Sequence, residues 1–406
     1  MITTFYPPYN FGGDGILVHR LSNELAQSGH QVEVIHCIDS YRTLAGREPA
    51  KGYLDHPNVT VHGLQSRWGF LSPLATHQTG FPLLKSARIE RILERGFGVI
   101  HYHNISLIGG PKILEYGRGI KLFTMHEYWL VCPTHLLFRF NRAVCTKPLC
   151  LPCSLIYRRP PQWWRYGNLL KTAVKHVDAF IAPSRFIMDK HQDMGLDIPF
   201  VHLPNFVPQA DASTITPGEG EESKISDGPY FLFVGRIEKV KGLHTLIPVF
   251  RRYKKAQLLI AGRGDCRLQL ERLAQDSSNI RFLGHQSWSQ LQALYRQAVA
   301  LVVPSIWFDV SPLVIFEAFS QKTPVIARSL GGIPETIQEG EGGFVYDTEE
   351  ELVAAMDHLL ENPSHRRELG QRAYQIYQHK WTPRNHLQGY LALIREIAAK
   401  AYSSRN

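Results

Sequence analysis

Two carboxylates, Asp309 and Glu317, stand with seven residues between them in the stretch Val302-Val303-Pro304-Ser305-Ile306-Trp307-Phe308-Asp309-Val310-Ser311-Pro312-Leu313-Val314-Ile315-Phe316-Glu317. Ser311 and Pro312 have the residue types of a helix N-cap and a first helical position. A helix starting there turns its free N–H groups and positive dipole end back to the loop that carries Asp309, a setting for phosphate. Backbone donors for an anion, beside carboxylate acceptors for hydroxyls, suit a sugar nucleotide better than inorganic phosphate. An ordinary strand-loop-helix unit with two solvated acids has the same spacing, so other residues must decide. Gly235-Arg236-Ile237-Glu238-Lys239-Val240-Lys241-Gly242 supplies them. Gly235 allows close backbone approach, Arg236 is a bidentate fork and Lys241 a point charge; together they can neutralise a departing diphosphate without a metal. In the first half, Met125-His126-Glu127 puts a histidine directly after an apolar run, and His103 and Asn104 end another. A histidine at the carboxyl end of a parallel strand faces the ligand crevice, or else is packed as a cap.

These residues need strands that end beside them. Apolar runs at Ile2–Phe5, Gln31–Cys37, Val59–His62, Val99–His103, Lys121–Met125, Ala179–Ala182 and Phe200–Leu203 predict strands, and several are separated by helical patterns such as Ile16–Ser28. The first of them is short for a buried parallel strand, and an upstream start codon is one reading of that. A second series follows at Tyr230–Val234, Gln257–Ala261, Ile280–Leu283, Ala300–Val303, Pro324–Ala327 and Gly343–Tyr346. Alternation of this kind predicts parallel, doubly wound sheets. The expected organisation is a domain over 1–208 with a cysteine-containing insertion at 130–160, and a linker over 209–228 rich in small and polar residues. A second domain over 229–383 and a terminal amphipathic helix over 384–406 complete it. The fold class is α/β: two doubly wound Rossmann-like domains facing a central cleft.

With these residues in view, the chain resembles the family 4 glycosyltransferases, which are retaining enzymes of the GT-B fold. The Asp309/Glu317 stretch is similar to the family's E-x7-E motif with Asp in place of the first Glu. Gly235-Arg236 and Lys241-Gly242 match its G-R-x4-K-G pattern, and Gly331-Gly332-Ile333-Pro334-Glu335 its G-G-x-P-E turn. The resemblance implies a nucleoside-diphosphate sugar donor, UDP- or GDP-linked, and a saccharide or lipid-linked acceptor. It implies Arg236 and Lys241 on the diphosphate together with the helix start at Ser311, Pro312 and Leu313. Asp309 would hold the donor hydroxyls, Glu317 the ribose, and His126 the reacting sugar. Gly12 and Gly13 match the loop under that sugar; Gly262 and Gly264, in Ala261-Gly262-Arg263-Gly264-Asp265, match a loop enclosing the nucleoside. The terminal helix would cross back to the first domain. No D-x-D motif of metal-dependent transferases is present, in keeping with cationic side chains doing the metal's work and no cofactor being required. Another GT-B enzyme, such as an epimerase or phosphorylase, or a non-catalytic sugar-nucleotide binding protein, are the alternatives.

Length and composition frame this reading. The 406 residues, 44% hydrophobic and 20% charged, are those of a globular protein of two domains. No apolar run reaches the roughly 18 residues that span a bilayer, and the N-terminus lacks the basic and apolar regions of a secretory signal. The cytoplasm is the expected location. The net charge of +9 is uneven: residues 1–208 hold 22 Lys+Arg against 14 Asp+Glu. Such an excess fits an anionic partner, either a membrane surface met peripherally on its inner face or an acidic acceptor. No nucleic-acid module is visible. The run Tyr157-Arg158-Arg159-Pro160-Pro161-Gln162-Trp163-Trp164-Arg165-Tyr166 suits a membrane interface or a lipid pyrophosphate, and equally a packed helix start. Cys132, Cys145, Cys150 and Cys153, spaced C-x12-C-x4-C-x2-C, are compatible with a structural zinc, with free thiols or with a disulfide pair.

Overall fold

The computed structural model describes residues 1–49, 53–208 and 225–403. The strands of the second half form one parallel sheet in the order Ile280–Gly284, Gln257–Ala261, Tyr230–Val234, Ala300–Val303, Val325–Arg328, Gly343–Tyr346. Numbered along the chain this is 3-2-1-4-5-6, the doubly wound order, which reverses between Tyr230–Val234 and Ala300–Val303. Alternate residues of each strand go to opposite faces. Phe231, Phe233, Leu258, Ile260 and Val302 enter one core; Tyr230, Leu232, Leu259, Leu301 and Val303 enter the other. Strands that are apolar at every position must be covered on both sides, which helices do here.

In the first half, Val59–Leu64 pairs with Val32–Cys37, and Val99–Tyr102, Ile120–Thr124, Ala179–Ala182 and Phe200–His202 pair in that order, all parallel. Ile2 joins the two groups by parallel bridges to Ile35 and Tyr102. The expected strand Ile2–Phe5 is therefore reduced to bridges. The chain leaves the sheet at once, because Pro7 and Pro8 offer no N–H and Tyr6 turns back onto Tyr9. The order is again that of a doubly wound sheet.

The chain divides into two units, residues 1–205 with the segment from His386 onward, and 206–385. The border lies before the expected 208 because Phe206 and Val207 are fully buried and the Val207 N–H donates to the Trp381 carbonyl at 3.2 Å. Of the expected linker, residues 209–224 lie outside the described residues. Ile225 packs on the second unit's core and Ser226 is buried. The last helix, Pro383–Ser403, contributes His386 and Tyr390 to the first unit, where His386 Nδ1 meets the Pro204 carbonyl at 2.8 Å.

Candidate active site

In the second unit the residues singled out by type collect at the carboxyl ends of Tyr230–Val234 and Ala300–Val303, where the sheet order reverses. Two loops meet there. The Ile306 N–H donates to the Val240 carbonyl at 2.9 Å. Gly242 has φ +78, and a Cβ on it would stand 1.8 Å from the Pro304 carbonyl oxygen, so only glycine lets the loops touch. Their contact brings Lys241 to Asp309. Its Nζ lies 2.6 Å from Oδ2, which also accepts from the Ser305 hydroxyl at 3.1 Å. Asp309 is buried, and its backbone is held by the Gly331-Gly332 turn, whose Gly332 N–H donates to its carbonyl at 2.8 Å.

Arg236 does not join them: it pairs with Glu238 at 2.7 Å on the surface. Gly262 and Gly264 pack against the Gly235 loop, and their Cβ atoms would meet the carbonyl oxygens of Gly235 at 1.8 Å and Ile237 at 2.3 Å. Their visible role is to bring the ends of adjacent strands together.

Ser311 is not the N-cap. The helix runs Leu313–Ser320 with Pro312 at the cap position, ψ 117, and no side-chain cap. Proline's fixed φ and lack of an N–H let it take the extended cap position itself, one residue after Ser311. The first-turn N–H groups, starting with that of Leu313, thus have no side-chain cap in front of them. Glu317 lies on this helix, buried, with Oε2 accepting from the Tyr295 hydroxyl at 3.2 Å. Trp381 packs on Phe316 and Phe319, with ring centroids 4.8 and 5.9 Å away, and so fixes the rotation of the helix that presents Glu317. Tyr295 and Ser305 carried no sequence signal; their positions give no spacing rule.

In the first unit, Gly12 precedes and Gly13 begins the helix Gly13–Gln27. The glycine under close contact is Gly15, whose Cβ would fall 2.3 Å from Asn10 Oδ1. His126 Nε2 and His103 Nδ1 share a hydrogen bond at 2.9 Å with rings stacked. Burial lowers the His126 pKa and the charge of Asp14, in the helix's first turn, opposes this. Behind them, His101 meets Thr124 at 2.7 Å and the Tyr390 hydroxyl at 3.1 Å. His101 and His103 lie on one face of their strand, two residues apart. The Tyr390 partner, 289 residues away, carried no sequence signal.

His36, His77, His101, His103, His191 and His386, all of this unit, are buried. Burial holds His101 and His103 well below the ordinary range, and His36, His77, His191 and His386 down to about 4. In an unfolded chain these groups titrate near 6.5. Below that pH the unfolded state takes up more protons than the folded one, so stability falls as pH drops from about 6.5 toward 4. In the second unit burial lowers the pKa of His244. Calorimetry at pH 7.5 and pH 5 should therefore show the first unit's transition falling further than the second's; equal shifts would refute this.

Outside the two clusters, Cys132, Cys145, Cys150 and Cys153 line one small cavity. Trp163–Tyr166 is a single 3-10 turn with Trp163 and Tyr166 exposed and Trp164 buried.

Comparison with known proteins follows the same division. The model of glycosyl transferases group 1 matches residues 219–376, and that of Glycosyltransferase Family 4 matches residues 11–210. A glycogen synthase of Mycobacterium tuberculosis is 31% identical over 386 residues, covering 90% of this chain and 86% of that one. Among solved structures, sucrose-phosphate synthase (tll1590) from Thermosynechococcus elongatus superposes with TM-score 0.75 at 19% identity, over 98% of each chain. Anabaena Alr3699/HepE, solved in complex with UDP and glucose, gives TM-score 0.62 at 16% identity over 99% of each. The fold is GT-B.

Proposed function

The chain belongs to the family 4 glycosyltransferases, and from that premise we propose that it transfers a sugar, with retention, from a UDP- or GDP-sugar to a hydroxyl of a saccharide or lipid-linked acceptor. The observation that carries this reading is the Lys241–Asp309 pair at the point where the sheet order reverses. There a cation for a diphosphate and a carboxylate for sugar hydroxyls are held 2.6 Å apart. UDP is favoured among bases by the neighbour solved with UDP and glucose.

In this reading the bond from the anomeric carbon to the diphosphate oxygen breaks while the acceptor oxygen bonds that carbon on the same face. The acceptor's proton passes to the departing diphosphate. Lys241, the Leu313 helix start and Arg236 stabilise the charge that develops. Arg236 must leave Glu238 to do so; both are partly exposed, and such pairs hold by at most about 1 kcal/mol. Asp309 orients the sugar, Glu317 takes the ribose hydroxyls, and His126, positioned by His103, is assigned to the reacting sugar. Gly12, Gly13, Gly235, Gly262 and Gly264 are assigned to loops around the donor. No metal is needed where cationic side chains serve the diphosphate. Incubation with UDP- and GDP-sugars tests the reading: sugar transfer with release of free nucleoside diphosphate is expected. Binding without consumption, interconversion of donor sugars, or a requirement for phosphate would each sink it.

We place its work at the cytoplasmic face of a membrane. No helix among the described residues is long and apolar enough to cross one. Trp163 and Tyr166 lie exposed in a turn beside the helix Leu71–Thr79, and the segments flanking that helix expose Trp68, Phe70, Leu83 and Leu84, on the basic half of the chain. Aromatic and aliphatic side chains with Lys and Arg suit the headgroup region. Co-sedimentation with anionic but not neutral vesicles is expected; no sedimentation with either would refute it.

A further inference from the structure

Four cysteines line one cavity in the segment that follows His126. Cys132 comes from the turn after the strand Ile120–Thr124, and Cys145 follows the small hairpin of Phe138–Arg139 and Ala143–Val144. Cys150 and Cys153 occupy one face of the seven-residue helix Cys150–Ile156. All four line a single cavity of about 20 Å³. That is room for one water-sized particle, not for an organic ligand. None of the four is in a disulfide. We propose that Cys132, Cys145, Cys150 and Cys153 bind one structural zinc ion as tetrahedral thiolates.

Three features around the cavity call for such a centre. The segment has little regular secondary structure to hold it, although Leu137 and Phe138 are buried and the Tyr157 hydroxyl donates to the Phe138 carbonyl at 2.6 Å. Its helix is too short to be stable alone, its hairpin strands have two residues each, and Leu149, Leu151, Leu155 and Ile156 are exposed. Second, His135, Leu137, Phe140 and Asn141 all have φ between +47 and +72, a conformation disfavoured for non-glycine residues that persists only where surrounding bonds impose it. A cross-link among three elements does that. Third, the surroundings are prepared for negative sulfur. The Phe140 N–H points at Cys153 Sγ, 3.3 Å away. The Arg165 guanidinium, half-buried against Trp164 at 4.3 Å, donates to the carbonyls of Trp129 and Leu130 and to Gln162. Four thiolates on Zn²⁺ carry a net charge of −2, which would give this cation its counter-charge.

Among the described residues, no three His, Cys, Asp or Glu side chains already stand in a ligating arrangement. Loading therefore requires the four thiols to turn inward to the cavity that they line. Binding releases the four thiol protons to solvent, so affinity rises with pH.

The test is metal analysis of the full chain, purified without chelator from zinc-supplemented medium. One zinc per chain is expected, released on titration of the thiols with a mercurial. Cobalt-loaded protein should show the intense visible bands of a tetrahedral thiolate site. Cys150→Ser, at an exposed position, should lose most of the metal, whereas Cys266→Ser, outside the cluster, should keep it. If Cys150→Ser does not fold, the wild-type stoichiometry and cobalt spectrum decide. Metal-free protein whose four thiols react at once with a thiol reagent would overturn the proposal, and so would disulfides among them.

Discussion

Replacing Lys241 with Met should lower kcat by about a thousandfold, with a smaller change in the donor's KM. A single preorganised donor aimed at developing charge is typically worth a hundred- to a thousandfold in rate, and Lys241 is a full cation, 20% exposed at its side chain, facing where the diphosphate would depart. Its attraction grows as the glycosidic bond breaks and the leaving group gains charge, so the loss belongs in kcat. The same substitution has a second effect. It leaves the buried Asp309 carboxylate with Ser305 but without its cation, and breaking one side of a buried pair costs about 3–5 kcal/mol. The double variant Lys241→Met/Asp309→Asn separates the two effects. Removing both charges should return most of the melting temperature and none of the activity. Recovery of both would mean that Lys241 serves the fold alone, and an unchanged kcat in the single variant would refute the site.

Glu317→Ala should cost at least about a hundredfold in kcat/KM, most of it through weaker donor binding. A buried acceptor that takes a substrate hydroxyl discriminates strongly, because the hydroxyl then has no substitute partner. Glu317 is suited to this: Tyr295 holds one oxygen and Trp381 the helix beneath it. Donors lacking a ribose hydroxyl give the sharper measurement. Wild type should lose on the deoxy-donor about what Glu317→Ala loses on the full donor, and the variant should not distinguish the two. Additive losses would place the ribose elsewhere. Glu317→Gln keeps an oxygen for Tyr295 and should retain the melting temperature, which sets the chemical loss apart from a packing defect.

Much of this architecture was legible beforehand for a definite reason. A strand buried on both faces must be apolar throughout, so Tyr230–Val234, Gln257–Ala261 and Ala300–Val303 announce themselves. Helices between such runs leave few topologies. Positions governed by local competition were harder. Ser311 has the better N-cap chemistry, yet Pro312 takes the place because its backbone is already shaped for it. Ile2–Phe5 has the composition of a strand, but two prolines end it after a few bonds.

The sequence by itself determined two doubly wound sheets, the family, and the types of side chain at the strand ends. The sheets and the side-chain types follow from periodicity and spacing, which are short-range properties of the chain, and the family from the resemblance of its motifs. Only the tertiary structure decided which partners those side chains take. Asp309, a methylene shorter than the acid the family uses, has its Oδ2 engaged by a lysine 68 positions earlier. Arg236, five residues from that lysine, turns to Glu238 instead. Tyr295 reaches Glu317 from another helix, and Tyr390 reaches His101 across most of the chain. Four cysteines from three elements arrive at one cavity. Such choices depend on where the sheet order reverses and how loops pack across that point, and no local pattern of residues records it.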